Sequence, residues 1–342
     1  MTRRVTHRPA VLALVAATAA ASTVALVAPS PRTAAASTSP AGASTTAAAA
    51  PGPYLTLLFS RSEVAAADHK PAVRDDRNVA GLVTVVAPYL AGRGLVATGS
   101  IQTGLIKQSA VSFTHGSMTA AISWNGASGL ATSYGWTFVS HSATYPTSWT
   151  GMSDSLIWAE TCGSAATIAA HGLPGSAGLY AWPSDSYVDA IQAAYVSTCI
   201  AFGRQYSKLP TTQAFALTPP YYQHTEGMNG GSCNDKAAAC WSVAGIPSHY
   251  DLPQTIINRI TALRPGQWFT LQAYLLVTGR SPPYATNSTR WDCTAADPRE
   301  HWSNDNERYC WTDYQAIIRA IPSTVVVTDP LTVAHAFGRP GY

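Results

Sequence analysis

The stretch Tyr134-Gly135-Trp136-Thr137-Phe138-Val139-Ser140-His141-Ser142-Ala143-Thr144-Tyr145-Pro146 decides how the chain is read. Trp136 to Val139 is an apolar, aromatic run of the length of a short buried strand, bounded by Gly135 and Pro146. It delivers a histidine at its end, then a small hydroxyl residue and, four positions on, Tyr145. The carboxyl end of a parallel strand is where α/β proteins place their chemistry. The same histidine also fits a buried imidazole satisfied by a backbone carbonyl, and the strand alone does not separate the two.

Outward from this strand, apolar runs alternate with helical patterns. Strands are expected at 54–59, 94–98, 178–183, 200–203, 213–220, 267–276 and 324–328. Helices are expected from about 75 to 90 (with Asp75 and Asp76 at its start), 152 to 170, 185 to 198, 252 to 263 and 314 to 320, and again after Asp329-Pro330. Residues 221–248 read as a Gly/Asn/Ser-rich loop, and 281–311 as a long irregular insertion carrying Trp291, Asp292, Asp297, His301, Asp305 and Glu307. Such density of acids and rings suits a sugar, a calcium ion or a plain disulfide-held loop. Continuous apolar strands alternating with helices indicate a parallel sheet. Seven or so units over about 290 residues, without a Gly-x-Gly-x-x-Gly, predict an α/β fold: an irregular (β/α)7-type barrel with disulfide-stapled loops.

Residues 1–36 have the order of a secretory signal peptide: Arg3, Arg4 and Arg8, an Ala-rich apolar run, then small residues around Thr33-Ala34-Ala35-Ala36-Ser37. Residues 37–52 form an Ala/Ser/Thr/Pro-rich linker, and 53–342 the barrel domain. The four charged residues before position 53 are all arginine, so seventeen basic residues against eighteen acidic ones remain in the mature chain. The basicity therefore belongs to the leader and excludes a nucleic-acid partner. With 10 Trp and 16 Tyr and few charges, the mature surface suits a neutral polymer such as a glycan, although rings also fill cores. Secretion to the extracellular space or cell wall, no membrane insertion after cleavage, and a monomer are expected. All six cysteines (Cys162, Cys199, Cys233, Cys240, Cys293, Cys310) lie in the exported part. Six allow fifteen connectivities; pairing 162–199, 233–240 and 293–310 closes the shortest loops.

The landmarks resemble the polysaccharide deacetylase (NodB-homology) family of secreted and cell-wall glycan deacetylases. His141-Ser142-Ala143-Thr144-Tyr145-Pro146 is similar to its strand-ending His-Ser/Thr-x-x-His-Pro. Leu58-Phe59-Ser60-Arg61-Ser62 stands at its Thr-Phe-Asp-Asp-Gly, Ala181-Trp182-Pro183 at its Arg-Pro-Pro, and Leu271-Gln272 at its late Leu-His. The resemblance implies a barrel with a divalent metal, held by one aspartate and two histidines, that polarises an acetamide and activates a water. Here the base aspartate is Ser60, the ligand aspartate Arg61, the second histidine Tyr145 and the late acid histidine Gln272; His141 alone is retained. A guanidinium beside the expected cation would repel it.

Three readings follow. In a glycan hydrolase, His141 with Glu63 supplies acid–base chemistry and Arg61 orients an anionic group. In a non-catalytic glycan binder, Tyr145, Trp182 and the aromatic insertion stack on sugar, with Ser60 and Gln272 lining the substrate site. In a metal enzyme, the zinc ligands have migrated to Glu63, Asp68 or His69. Without that migration no cofactor is expected, and the partner in every case is a polysaccharide or oligosaccharide.

Overall fold

The computed structural model describes residues 52–60, 81–104, 106, 112–115, 118–120, 122–146, 148–183, 197–206, 209–219, 221–227, 251–280, 291–303 and 308–339. The leader and linker, Arg61, Glu63, Asp68, His69, Cys233 and Cys240 lie outside them. The chain divides into two units, residues 1–48 and 49–342, and everything below concerns the second. Among the described residues no helix is long and apolar enough to cross a membrane.

Seven parallel strands close on themselves. They are β1 (Tyr54–Phe59), β2 (Thr98–Ile101), β3 (Thr137–Ser140), β4 (Leu179–Tyr180), β5 (Phe202–Tyr206), β6 (Tyr222–Gly227) and β7 (Gln267–Ala273). Each pairs with the next, and β7 returns to β1 along its whole length, Tyr54 opposite Trp268 through Phe59 opposite Ala273. Closure removes the sheet edges. The irregularity is at the β1–β2 seam. Val326–Val327 pairs with the start of β1 and β2 with its end, so the terminal strand wedges the seam open at one end.

Alternation sorts the side chains. Leu55, Leu57 and Phe59 face outward into a core with the helices, meeting Leu82, Val86, Leu90, Leu130, Ile256, Ile260 and Ile317. Those residues come from α1 (Ala87–Ala91) and the π-helical turn before it, α2 (Trp124–Tyr134), α5 (Pro253–Thr261) and α6 (Trp311–Arg319). α3 (Asp154–Trp158), a π-helical turn (Ala159–Gly163) and α4 (Ser164–Ala170) form one continuous run after β3. Inside the barrel, Leu58, Val139, Leu179, Phe202 and Trp268 pack together at its lower end. Val333, Ala334 and Phe337 of α7 (Pro330–Phe337) join the same cluster. The Trp268 indole donates to Thr56 Oγ1 at 3.0 Å, so this large ring is buried without a wasted donor.

The barrel of seven units is as expected, but several assignments change: the second strand, expected at 94–98, runs instead over Thr98–Ile101. Residues 213–220 are not a strand: Gln213–Ala216 is a short helix, because the Thr212 hydroxyl accepts from Phe215 N and caps it. The sixth barrel strand is instead Tyr222–Gly227, inside the expected loop. Its sequence, Tyr-Gln-His-Thr-Glu-Gly, lacks the apolar run of a doubly buried strand; its buried Gln223 belongs to a polar layer. The 324–328 strand shortens to Val326–Val327. The insertion holds order of its own, with an antiparallel pair (Trp291–Asp292, Trp302–Ser303) and Arg308–Cys310 paired in parallel with Leu275–Val277. Cys162–Cys199 and Cys293–Cys310 are bonded as expected.

Candidate functional site

The strand that opens the chain's reading ends at His141, 1 % exposed on the barrel's inner face. Its backbone N–H donates to Ile101 O at 2.8 Å, and its ring Nδ1 lies 2.5 Å from Ala181 O. A carbonyl can only accept, so Nδ1 carries the proton and, in the neutral ring, Nε2 is the basic nitrogen. The backbone-satisfied histidine is therefore what the fold builds, with one ring nitrogen committed to the end of β4.

The loop beyond it is strained. Ser142 and Tyr145 adopt φ of 72° and 63°, a region that side-chain-bearing residues seldom occupy. Glu160, buried in the π-helical turn, holds that shape. Its carboxylate accepts from Ala143 N at 2.9 Å, Thr144 N at 2.8 Å and Thr144 Oγ1 at 2.6 Å. Ser142 Oγ accepts from Tyr145 N at 2.9 Å, and Ala143 O accepts from Gly104 N at 2.8 Å. A Cβ on Gly104 would stand 2.6 Å from Ala143 O, so only glycine permits the approach. Tyr180 donates its hydroxyl to Glu160 O at 2.9 Å. Burial, then the Glu160 charge, pushes that phenol well above its ordinary range, so it stays a donor.

A polar layer caps the apolar interior at this carboxyl end: Ser60, Ser100, His141, Arg204, Gln223 and Gln272, each at most 2 % exposed. Arg204 on β5 organises it. Nη1 donates to Gln272 Oε1 at 2.7 Å and Nη2 to Trp182 O at 2.9 Å. Ser100 Oγ donates to Ser60 Oγ at 3.4 Å. His141 and Arg204 thus donate to consecutive carbonyls, Ala181 and Trp182, just past β4.

Of the residues singled out in the sequence, the fold gathers Ser60, His141 and Gln272 into this layer. Tyr145 stands half-buried beside it, its ring edge-on to His141 at a centroid distance of 5.1 Å. Trp182 lies elsewhere: its indole is 0 % exposed, packed edge-on to Trp149 and Tyr180, and offers no face to a sugar. Arg61 and Glu63 are outside the described residues. Two residues that organise the site escaped the sequence reading. Arg204 did so because its strand was ended at Gly203, yet an arginine two positions after Phe202 in a parallel strand must point inward with it. Glu160 did so because a lone helical glutamate has no local signature.

The donor set does not fit the metal centre that the family resemblance implies. Ser60 and Gln272 are neutral, Gln272 has its carbonyl oxygen committed to Arg204, Tyr145 presents a ring edge, and His141 has Nδ1 committed to Ala181. Three metal-ligating side chains come together elsewhere among the described residues, at His301, Cys310 and Asp313.

No protein-family model matches the chain, and no curated protein matches it. Solved structures do. A Mycobacterium smegmatis structure assigned as a polysaccharide deacetylase shares 10 % identity, with 88 % of this chain and 94 % of that one covered and a TM-score of 0.44. A CE4 family pseudoenzyme from Bacillus anthracis shares 12 % identity over 65 % of this chain and 58 % of its own, TM-score 0.32. IcaB from Ammonifex degensii shares 12 % identity over 45 % and 84 %, TM-score 0.32. No residue role is carried over from any of them. These solved structures are thus one assigned as a polysaccharide deacetylase, one CE4 family pseudoenzyme and IcaB.

Proposed function

We propose that the chain is an exported, monomeric, glycan-binding protein on a deacetylase-type barrel, recognising an extracellular or cell-wall polysaccharide without metal-dependent deacetylation. The observation that carries this reading is the polar layer. Where the resemblance puts an acid, two histidines and a metal, the barrel end holds hydroxyls, an amide and a guanidinium bonded to one another. Recognition falls to the rim. Tyr145 is half-buried there, its ring beside His141. A flat ring at the edge of a weakly charged barrel suits the apolar face of a sugar. Export is supported by the leader and the disulfides.

One observation favours a second reading. His141 is locked with Nε2 as its basic nitrogen, the form a general base needs. The two are separated by incubating the protein with acetylated chitooligosaccharides and peptidoglycan fragments, measuring retention and acetate release together. Binding without release, weakened about fivefold by Tyr145→Ala through loss of about 1 kcal/mol of ring contact, supports the binder. Acetate release that His141→Ala abolishes overturns it in favour of the hydrolase.

A further inference from the structure

The stapled loop gathers side chains that neither the barrel end nor the proposed glycan rim uses. Cys310 is the N-cap residue of α6, and Asp313 lies in that helix's first turn. His301 follows the 3-10 turn Pro298–Glu300 and docks against both. His301, Cys310 and Asp313 are 5 %, 1 % and 2 % exposed. One ligand-type atom from each lies within 4.8 Å of the others. The fourth donor is implicit: Cys293 is bonded to Cys310, with Cα atoms 5.6 Å apart, so its sulfur occupies the same corner.

The second sphere is also in place. His301 Nδ1 faces Asp313 Oδ2 at 2.7 Å, while Nε2 faces Ala295 O at 2.9 Å. Metal-bound histidines characteristically spend the other ring N–H on a backbone carbonyl, which fixes the tautomer and aims the ligating nitrogen. Cys310 sits where backbone N–H groups and the helix dipole favour a thiolate. Tetrahedral zinc with sulfur, nitrogen and oxygen ligands needs donor atoms about 3.5 Å apart, from bond lengths of about 2.0–2.3 Å. To reach that spacing, the His301–Asp313 pair opens from 2.7 Å and the two sulfurs part once they are no longer bonded, while the other distances among His301, Cys310 and Asp313, all within 4.8 Å, close by side-chain rotation.

We propose that Cys293, Cys310, His301 and Asp313 form a zinc site in the reduced chain, of which the Cys293–Cys310 disulfide is the oxidised form. A dithiol reductant supplies two electrons and two protons. The sulfur–sulfur bond breaks into two thiols, and the dithiol becomes a cyclic disulfide. Zinc then forms two bonds to sulfur, one to His301 Nδ1 and one to Asp313. It releases both thiol protons and the proton held between His301 and Asp313, leaving the site with one net negative charge. The loop stays clasped to α6 in both states, by a covalent staple when oxidised and by the ion when reduced.

The full-length protein, reduced with a phosphine that does not compete for metal, is titrated with Co²⁺ as the spectroscopic probe. The expected result is tetrahedral cobalt absorption with thiolate charge transfer, saturating at one ion per chain and displaced by Zn²⁺. His301→Ala and Asp313→Asn weaken binding by about tenfold or more, whereas Cys162→Ser/Cys199→Ser retains it. Absence of the thiolate–cobalt band, or its persistence in Cys293→Ser/Cys310→Ser, overturns the proposal. Should those variants misfold, alkylation of the reduced native chain gives an independent reading. Zinc must slow alkylation of Cys293 and Cys310 by iodoacetamide relative to the metal-free reduced chain and leave the rates at Cys162 and Cys199 unchanged; any other result on adding zinc refutes the site.

Discussion

Replacing Glu160 with alanine tests the claim that this residue, rather than the strand, sets the shape of the loop after His141. The wild-type carboxylate accepts three hydrogen bonds, from Ala143 N, Thr144 N and Thr144 Oγ1, at 2.6–2.9 Å. Bonds to a charged acceptor contribute about 1.5–3 kcal/mol each when water cannot replace them. Thr144 is exposed and Ala143 half-buried, so water re-satisfies part of what is lost. The carboxylate is itself buried, and its removal relieves a desolvation cost. The net expectation is a loss of about 2–4 kcal/mol, near the upper end of ordinary single substitutions. For a domain of this size that lowers Tm by about 4–16 °C, at about 2–4 °C per kcal/mol. Glu160→Gln keeps an acceptor oxygen but turns an NH2 group toward a second donor, so it should fall between wild type and alanine. Thermal unfolding followed by far-UV circular dichroism measures both variants. A change under about 1 kcal/mol for alanine would mean that Ser142 and Tyr145 hold their left-handed backbone unaided, and the reasoning would fail.

Three further outcomes are expected. Cys162–Cys199 spans a sequence separation of 37 and ties the π-helical turn carrying Glu160 to the chain entering β5. Cys162→Ser/Cys199→Ser should cost up to about 4 kcal/mol by loop-closure entropy, read from denaturant midpoints; no change would show that the staple constrains nothing. Arg204→Lys keeps the charge but not the fork, so one of Gln272 Oε1 and Trp182 O loses its donor in a buried layer. A loss of about 1–3 kcal/mol is expected, and a neutral result would refute Arg204 as the layer's organiser. In the insertion, side-chain and backbone hydrogen bonds from Arg299 hold Asp297 down at about 2, below its ordinary value. Burial pushes Asp292 up, but bonds from Thr294 and the Arg280 charge outweigh it and hold that group below its ordinary value too. Folded-state values below the unfolded ones mean that this support is complete above about pH 4; the Asp297 part is lost as pH falls through about 2, and the Asp292 part as pH falls through its own lowered value. NMR titration of the loop amides should show the change confined to that window.

How much of this was legible depended on whether a feature is local. The barrel was, because strands buried on both faces are largely apolar runs, as in 54–59. The disulfides were, because short loops close most easily. β6 was not: Gln223 faces a polar layer, so a barrel strand carries a loop-like sequence. The same physics hid Arg204, whose partners Gln272 and Trp182 are 68 and 22 residues away. His141 was found at the end of its strand, Ser60 and Gln272 by resemblance, and the fold brought the three together. Trp182 was singled out for its ring, and only burial distinguishes a core indole from a stacking platform.

Among the described residues, the layer itself does not offer the metal centre that the family resemblance implies; the migrated ligands Glu63, Asp68 and His69 lie outside them. Two of the layer's strongest donors, the His141 Nδ1–H and the Arg204 guanidinium, aim at neighbouring carbonyls at the end of β4. The remaining Arg204 fork takes the Gln272 oxygen. Two acceptors, Gln272 Oε1 and Trp182 O, are therefore already committed to a permanent positive charge. A divalent ion within about 5 Å of that guanidinium would meet a repulsion of about 6–7 kcal/mol at an effective dielectric of about 20, and no aspartate or second histidine stands among the layer's six described members to offset it. Substituting arginine for the ion keeps positive charge at the barrel's carboxyl end while removing the open coordination position that hydrolysis requires. Under the proposed reading as a binder, this is what stands at the barrel end. That reading places the test on Tyr145 and the rim, where a sugar can reach, rather than on the layer beneath, which the fold has already satisfied.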